Sequence, residues 1–147
     1  MTFNELASSF DTVGENYEKF RPSYVPELYG EIFASCSLNS RSQVLEIGIG
    51  TGQATLPFLA VGCQLTAIEP GMNLANVCKE KFSIYPNLHL ITGKFENISL
   101  PKDSFDLIYS ATAFHWVPEA LGYTKVFSLL KKNGIFAQFA NHPDPYI

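Results

Sequence analysis

Apolar positions along the chain follow two alternating spacings, which predict strands and helices in turn. Five short apolar runs have the pattern of buried strands, and between them apolar residues recur at three- and four-residue spacings, as on one face of a helix. The predicted strands are SQVLEIG (42–48), QLTAIEP (64–70), LHLIT (88–92), FDLIYSA (105–111) and IFAQFA (135–140). The predicted helices are LYGEIFASC (28–36), QATLPFLAVG (53–62), GMNLANVCKEKFSIY (71–85) and PEALGYTKVFSLLKKNG (118–134).

The last predicted helix carries signals at both ends. It starts with Pro118, it has Lys131 and Lys132 where a last turn would lie, and it closes on Asn133-Gly134. Proline favours a first turn, lysines favour a last turn, and glycine commonly follows a helix. These signals predict that the helix runs through the lysine pair.

The regular alternation of strand and helix predicts an α/β fold. Right-handed crossovers then give a doubly wound, mostly parallel sheet that helices cover on both faces. The 147 residues are the length of one domain, and 46% of them are hydrophobic. We therefore expect a single domain, with residues 1–36 as an N-terminal cap segment and helix and residues 42–147 as the core.

Composition and charge exclude several classes of protein. The net charge of −4 and the absence of a basic patch argue against a nucleic-acid-binding surface. No apolar run approaches the length of a membrane span, and the polar start of the chain has no signal-peptide pattern. Cys36, Cys63 and Cys78 form no CxxC pair, which favours reduced thiols over a disulfide or a metal site. We expect a cytoplasmic protein without a bound metal.

The clearest chemical signal is the glycine-rich segment VLEIGIGTGQAT (44–55). Gly48, Gly50 and Gly52 follow the first predicted strand, where glycine lets a ligand touch the main chain. The alternative is that these glycines only make a tight turn. A dinucleotide fingerprint needs a small third residue for close helix packing, but Gln53 or Thr55 stands there, depending on the register.

Two acidic residues flank this turn in the predicted sheet. Glu46 lies two residues before Gly48, where its charge would repel a pyrophosphate and suit a cationic amine. Glu69 ends the second strand, about 20 residues downstream, where nucleotide-binding sheets carry a carboxylate that accepts from the ribose hydroxyls. The alternative for Glu69 is a solvated strand end. The pair predicts a nucleoside ligand without a pyrophosphate.

At this point the chain resembles the class I S-adenosylmethionine-dependent methyltransferases, and among them the branch similar to trans-aconitate methyltransferases. The resemblance lies in VLEIGIGTGQAT, AIEPGMN, GKFENISLP, FDLIYSATAFHWV and LLKKNGIFAQF, in family order, and in the leader FDTVGENYEKFRPSYVP. It implies a Rossmann-like core, S-adenosylmethionine as cofactor, and a small-molecule acceptor, with a carboxylic acid as one possibility. One departure is Lys94, where the family often carries Asp.

The resemblance also implies a set of cofactor-binding residues. Glu46, Gly48 and Gly50 would face the methionine moiety, and Glu69 would hold the ribose. The other implied contacts are Met72, Phe95 and Glu96 at the adenine, Ala111 and Thr112 beneath the sulfonium, and Tyr17 and Arg21 at the cofactor carboxylate. The alternative for Arg21 is a surface charge.

The leader and the FHW segment (114–116) supply further candidates. Tyr17, Phe114 and Trp116 could offer aromatic faces to the cation, with core packing as the alternative for Phe114. His115 is the weak candidate for a general base, the alternative being that it only orients the loop beside Trp116.

The family sheet normally continues beyond the fifth strand, whereas this chain stops at NHPDPYI. We therefore expect a form that lacks the C-terminal strands, with an exposed fifth strand that could pair in a homodimer. Two other functions stay open at this point. One is a non-catalytic S-adenosylmethionine-binding or dimerisation module, and the other is a nicotinamide-dependent dehydrogenase, which Gln53 disfavours.

Overall fold

A computed structural model describes residues 24–111 and 117–139, which form a five-stranded parallel sheet with helices on both faces. The strands are β1 (Gln43–Ile47), β2 (Gln64–Glu69), β3 (Leu88–Thr92), β4 (Phe105–Ala111) and β5 (Leu130–Phe139). The helices are α1 (Pro26–Ser35), α2 (Leu56–Val61), α3 (Met72–Lys81) and α4 (Glu119–Leu129), and a single 3-10 turn (Phe95–Asn97) follows β3. The predicted Rossmann-like α/β fold is confirmed.

The strand order is β3-β2-β1-β4-β5. From β1, the chain first adds strands on one side of the sheet and then crosses to add β4 and β5 on the other side. β1 pairs in parallel with β2 on one side and with β4 on the other. Ligands of open α/β sheets bind beyond the carboxyl ends of the strands at such a switch point. The loop that follows β1 is therefore where this topology favours a site.

Two core clusters cover the two faces of the sheet. Successive residues of a strand point to opposite faces, and accordingly Val44 and Leu45 of β1 belong to different clusters. Helices α1, α2 and α3 cover the first face with residues that include Tyr29, Phe58 and Cys78. Helix α4 and the 3-10 turn cover the second face with Val126, Leu129 and Phe95.

The boundary between the last helix and the last strand differs from the prediction. Helix α4 ends at Leu129 and β5 begins at Leu130, so Lys131 and Lys132 belong to the strand and not to a last helical turn. Lys131 instead pairs with Asp106 of β4, at 3.1 Å between Nζ and Oδ1. The sequence signals were right that the chain turns here but wrong about the element that contains the turn.

The reason is a bulge inside β5. Phe105 of β4 is opposite Leu130 and Leu107 is opposite Ile135, so the four residues 131–134 of β5 lie against the single residue Asp106 of β4. Asn133 takes a positive φ of 70°. A Cβ at Gly134 would lie 2.9 Å from the carbonyl oxygen of Phe105, so only glycine allows this close approach.

Helices α2 and α3 are shorter than the segments 53–62 and 71–85 that the pattern predicted. Gly62 ends α2 in the left-handed conformation, with φ 89°, as expected of a helix stop. Within residues 24–111 and 117–139, no helix has both the length and the apolar character that crossing a membrane requires.

Candidate functional site

The turn after β1 adopts a conformation that requires glycine. Gly48, Gly50 and Gly52 all have positive φ, of 73°, 59° and 85°. The backbone N–H groups of Gly48 and Ile49 donate to the carbonyl of Ile68, at 2.8 and 3.1 Å. These bonds attach the turn to the carboxyl end of β2, beside Glu69.

The second and third glycines serve different purposes. A Cβ at Gly52 would lie 2.5 Å from Cε2 of Phe82, a buried side chain that directly follows α3. Among the residues that the structure describes, a Cβ at Gly50 would meet only the side-chain oxygen of Gln53, at 4.0 Å. Gly52 therefore makes room for the Phe82 ring, whereas Gly50 has no such packing role and its main chain is half-buried.

Glu69 links the turns that follow three strands. Its Oε1 accepts from the backbone N–H of Gly50 at 2.7 Å, and its Oε2 accepts from Gly71 at 2.8 Å. The carbonyl of Glu69 accepts from the N–H of Gly93, just after β3, at 3.0 Å. Glu69 is 5% exposed, so it is not the solvated strand end that the sequence left open.

Glu46 lies below the glycine turn in the core. It is 1% exposed, and its Oε1 accepts from the hydroxyls of Thr55, at 2.7 Å, and Tyr109, at 2.6 Å. Burial raises the pKa of Glu46 to about 7, against the effect of the two hydroxyl donors. Burial, together with the Glu46 charge, raises the pKa of Tyr109 well above its usual range, so Tyr109 remains a hydroxyl donor.

The 3-10 turn after β3 contains two of the predicted residues. Phe95 is buried and Glu96 is half-buried. The ammonium of Lys125, on α4, donates to the carbonyls of Phe95 and Ile98 and lies 4.7 Å from the centre of the Phe95 ring. Burial lowers the pKa of Lys125, and the Glu96 carboxylate acts in the opposite direction.

Met72 and Ala111 lie at the same carboxyl edge of the sheet. Met72 begins α3, three residues after Glu69, and is 67% exposed. Ala111 is the last residue of β4 and pairs with Phe139 of β5. The structure thus brings Gly48, Gly50, Glu69, Met72 and Ala111 to one edge, because each stands at or just after the carboxyl end of a strand.

The remaining predicted residues lie outside the described part of the chain. They are Tyr17, Arg21, Thr112 and His115, together with the aromatic candidates Phe114 and Trp116. Among the residues that the structure does describe, no group of three or more His, Cys, Asp or Glu side chains could hold a metal ion.

Sequence reasoning missed the residues that support this edge from beneath. Tyr109 and Thr55 hold the Glu46 carboxylate, Phe82 fills the space at Gly52, and Lys125 holds the 3-10 turn. Only Tyr109 had a usable signal, because β4 neighbours β1 and Tyr109 is opposite Glu46 in the register. The contacts of Phe82 and Lys125 join elements far apart in the chain, whereas Thr55 is only nine residues from Glu46.

A surface groove of about 510 Å³ lies at the opposite end of the sheet. Gln43, Phe105 and Lys131, among others, line it at the amino ends of their strands. Since ligands of doubly wound sheets bind at the carboxyl ends, this groove is not part of the candidate site.

The chain is similar to known proteins in sequence and in fold. The model of a family described as methyltransferase domain matches residues 45–138. An uncharacterized methyltransferase of Schizosaccharomyces pombe is 29% identical over 140 residues, which cover 95% of this chain and 55% of that protein. A malonyl-[acyl-carrier protein] O-methyltransferase of Marinomonas sp. is 27% identical over 134 residues, which cover 88% of this chain and 49% of that protein.

A solved structure supports the fold independently. The crystal structure of a candidate S-adenosyl-L-methionine-dependent methyltransferase from Methanococcus maripaludis superposes with a TM-score of 0.73 at 16% identity, covering 96% of this chain and 65% of that one. The chain spans about half the length of the curated relatives it matches. On the family match and this fold, the chain belongs to the methyltransferase domain family.

Proposed function

We propose that this chain binds S-adenosylmethionine at the carboxyl edge of β1 and β2 and transfers its methyl group to a small-molecule acceptor. The observation that carries the proposal is the Glu69 carboxylate, which accepts from the half-buried main chain of Gly50 in the glycine turn. The family match supports the same activity, and the M. maripaludis neighbour is described as using S-adenosyl-L-methionine.

The hydrogen-bonding capacity of Glu69 fits a nucleoside. A carboxylate offers about four acceptor positions. The N–H groups of Gly50 and Gly71 use one on each oxygen. Counting donors from residues 24–111 and 117–139, one position per oxygen then remains, which matches the two adjacent hydroxyls of a ribose.

The charge of the edge fits a cation better than a diphosphate. Glu69 lies at the edge and Glu46 lies beneath it, and both are acids. With its pKa near 7, Glu46 is partly ionised at neutral pH. Because Glu46 is 1% exposed, its contribution would be an electrostatic field, which favours an ammonium or sulfonium and opposes a pyrophosphate. A dinucleotide, and hence a dehydrogenase, is disfavoured for the same reason.

The chemistry needs little from the protein beyond binding and orientation. S-adenosylmethionine supplies a methyl group that is already activated by the sulfonium charge. Glu69 and Gly50 would hold the nucleoside end, and the segment around Phe95 and Glu96 would border the base. Holding two reactants in line is worth up to about 7 to 11 kcal/mol, so no protein nucleophile is required. Tyr17, Arg21, Thr112 and His115 remain candidates for the cofactor carboxylate, the sulfonium and the acceptor.

For the acceptor, we propose an oxygen nucleophile of a small carboxylic acid. The Marinomonas relative is named as an O-methyltransferase of malonyl-[acyl-carrier protein], which supports transfer to oxygen. A radiolabelled-methyl assay against a panel of small carboxylic acids tests this class. Binding of the cofactor without transfer to any acceptor would favour the non-catalytic module instead.

The binding step is tested by isothermal titration of the full chain with S-adenosylhomocysteine and with NAD. We expect heat with the first ligand alone. Glu69→Gln should weaken S-adenosylhomocysteine binding at least about tenfold, because a hydrogen bond to a charged group is worth about 1.5 to 3 kcal/mol. Glu80→Gln, which makes the same charge change on an exposed residue of α3, is the control. Binding of NAD, or no heat with S-adenosylhomocysteine at high protein concentration, would refute the proposal.

A further inference from the structure

We propose that Lys125 is a positioning residue for the base of the bound nucleoside, an inference that rests on the proposed function. Lys125 would not touch the ligand. It would hold the main chain of the 3-10 turn at a fixed distance from α4, so that Phe95 and Glu96 border the base in one geometry.

The first support is how little the turn holds itself. It is three residues long, and its own bonds are two: the N–H of Asn97 donates to Lys94 at 3.0 Å and that of Ile98 to Phe95 at 3.3 Å. Hydrogen bonds in a 3-10 helix have poorer geometry than those in an α-helix. An external support is therefore needed to define the position of the turn.

The second support is the way Lys125 engages the turn. Its ammonium donates to the carbonyl of Phe95, which begins the turn, and to that of Ile98, which directly follows it, and it lies over the Phe95 ring. A lysine thus makes two charge-assisted hydrogen bonds and a cation–π contact with one short segment. Beneath it, Phe95 is 3% exposed and packs with the second core cluster, so the turn is held from both sides.

The third support is the position of the turn relative to Glu69. The turn follows β3 directly, and the N–H of Gly93 between them donates to the carbonyl of Glu69 at 3.0 Å. Thr92, the last residue of β3, is opposite Glu69 in the sheet. A ribose held by Glu69 would therefore have this segment beside it, within reach of the attached base.

A purely structural role for Lys125 predicts a different effect of its replacement on ligand binding. It would lower stability and weaken every ligand alike. A positioning role predicts that recognition of the base suffers specifically. The measurement is therefore the ratio of affinities for S-adenosylhomocysteine and S-inosylhomocysteine, which differ only at the base, determined by isothermal titration.

Lys125→Met keeps the aliphatic stem and removes the donors. We expect this variant to bind S-adenosylhomocysteine about tenfold more weakly and to show a smaller ratio of affinities for the adenine and hypoxanthine ligands. The reason is that losing the two hydrogen bonds of Lys125 leaves the turn at the base less well positioned. Lys125→Arg should restore most of the affinity and the ratio. Lys132→Met, which removes the same charge from an exposed residue of β5, should match wild type.

Three results would overturn the inference. The first is a Lys125→Met variant whose affinity for S-adenosylhomocysteine and whose ratio of affinities for the two ligands equal those of wild type. The second is a loss of affinity that is equal for both ligands. The third is independent of any variant: S-adenosylhomocysteine should protect the amides of residues 95–98 from hydrogen exchange in the wild-type chain, and no protection there refutes a role at the base. Absence of binding to wild type would instead refute the proposed function, and the inference with it.

Discussion

Replacing Gly52 with alanine tests the packing beneath the glycine turn. Two separate penalties are expected. The residue has a φ of 85°, and a non-glycine residue in left-handed conformation costs about 1 to 2 kcal/mol. The added Cβ would also lie 2.5 Å from the Phe82 ring, which is 3% exposed and has little room to move. Overpacking of this kind costs about 1 to 3 kcal/mol.

Gly62→Ala is the matched control for the first penalty. Gly62 has nearly the same φ, 89°, but an added Cβ there would have nothing within 4 Å. We expect Gly62→Ala to lower the free energy of unfolding by about 1 to 2 kcal/mol and Gly52→Ala to lower it by about 2 to 5 kcal/mol. Urea denaturation followed by circular dichroism measures both values.

A double mutant isolates the clash. Phe82→Leu removes the ring atoms that the new Cβ would meet, so Gly52→Ala should cost less in that background than in wild type. Equal losses for Gly52→Ala and Gly62→Ala would refute the reasoning. So would a cost of Gly52→Ala that does not change when Phe82 is leucine.

Three further predictions concern buried and surface charge. Folding raises the pKa of Glu46 from 4.5 to about 7, so the contribution of Glu46 to stability should be lost as pH rises between those values. The stability of Glu46→Gln, measured by urea denaturation, should therefore rise relative to that of wild type from pH 5 to pH 8. A stability difference that does not change with pH would contradict this. Tyr109→Phe removes a hydrogen-bond donor from the buried Glu46 carboxylate and should lower the free energy of unfolding by about 1 to 3 kcal/mol at pH 8. The loss should be smaller at pH 5, where Glu46 is neutral in the folded state. Equal losses at both pH values would count against this. Lys131→Met breaks the ion pair with Asp106 and should lower the free energy of unfolding by at most about 1 kcal/mol, and by less in high salt. A larger loss of stability that does not depend on salt would contradict this.

The predictions from sequence were most accurate where a local pattern determines the structure. Alternating apolar spacings predicted the five strands and four helices in the right order, and Gly62 marked the end of α2. The pattern was wrong at residues 131–134, where signals for a helix end belong to a bulge within β5. The lysine pair and Asn133-Gly134 indicate that the chain turns here. Which element contains the turn depends on the pairing of β5 with β4 around Phe105.

The same division holds for the candidate site. The sequence placed Gly50 and Glu69 at strand ends, and in parallel sheets such ends meet at one edge. It could not show that Gly52 serves the packing of Phe82, because those residues are 30 positions apart. Nor could it show that Glu46 is buried, because burial depends on Thr55 and Tyr109 closing over the carboxylate.

By itself, the sequence determined the α/β alternation, the glycine-rich turn after β1 and the acid that ends β2, because each depends on residues close together in the chain. Tertiary structure decided that both carboxylates are buried, that Gly52 makes room for the Phe82 ring, and that Lys125 supports the turn after β3. The physical reason is that burial, close packing and hydrogen bonds between distant elements exist only once the sheet has assembled.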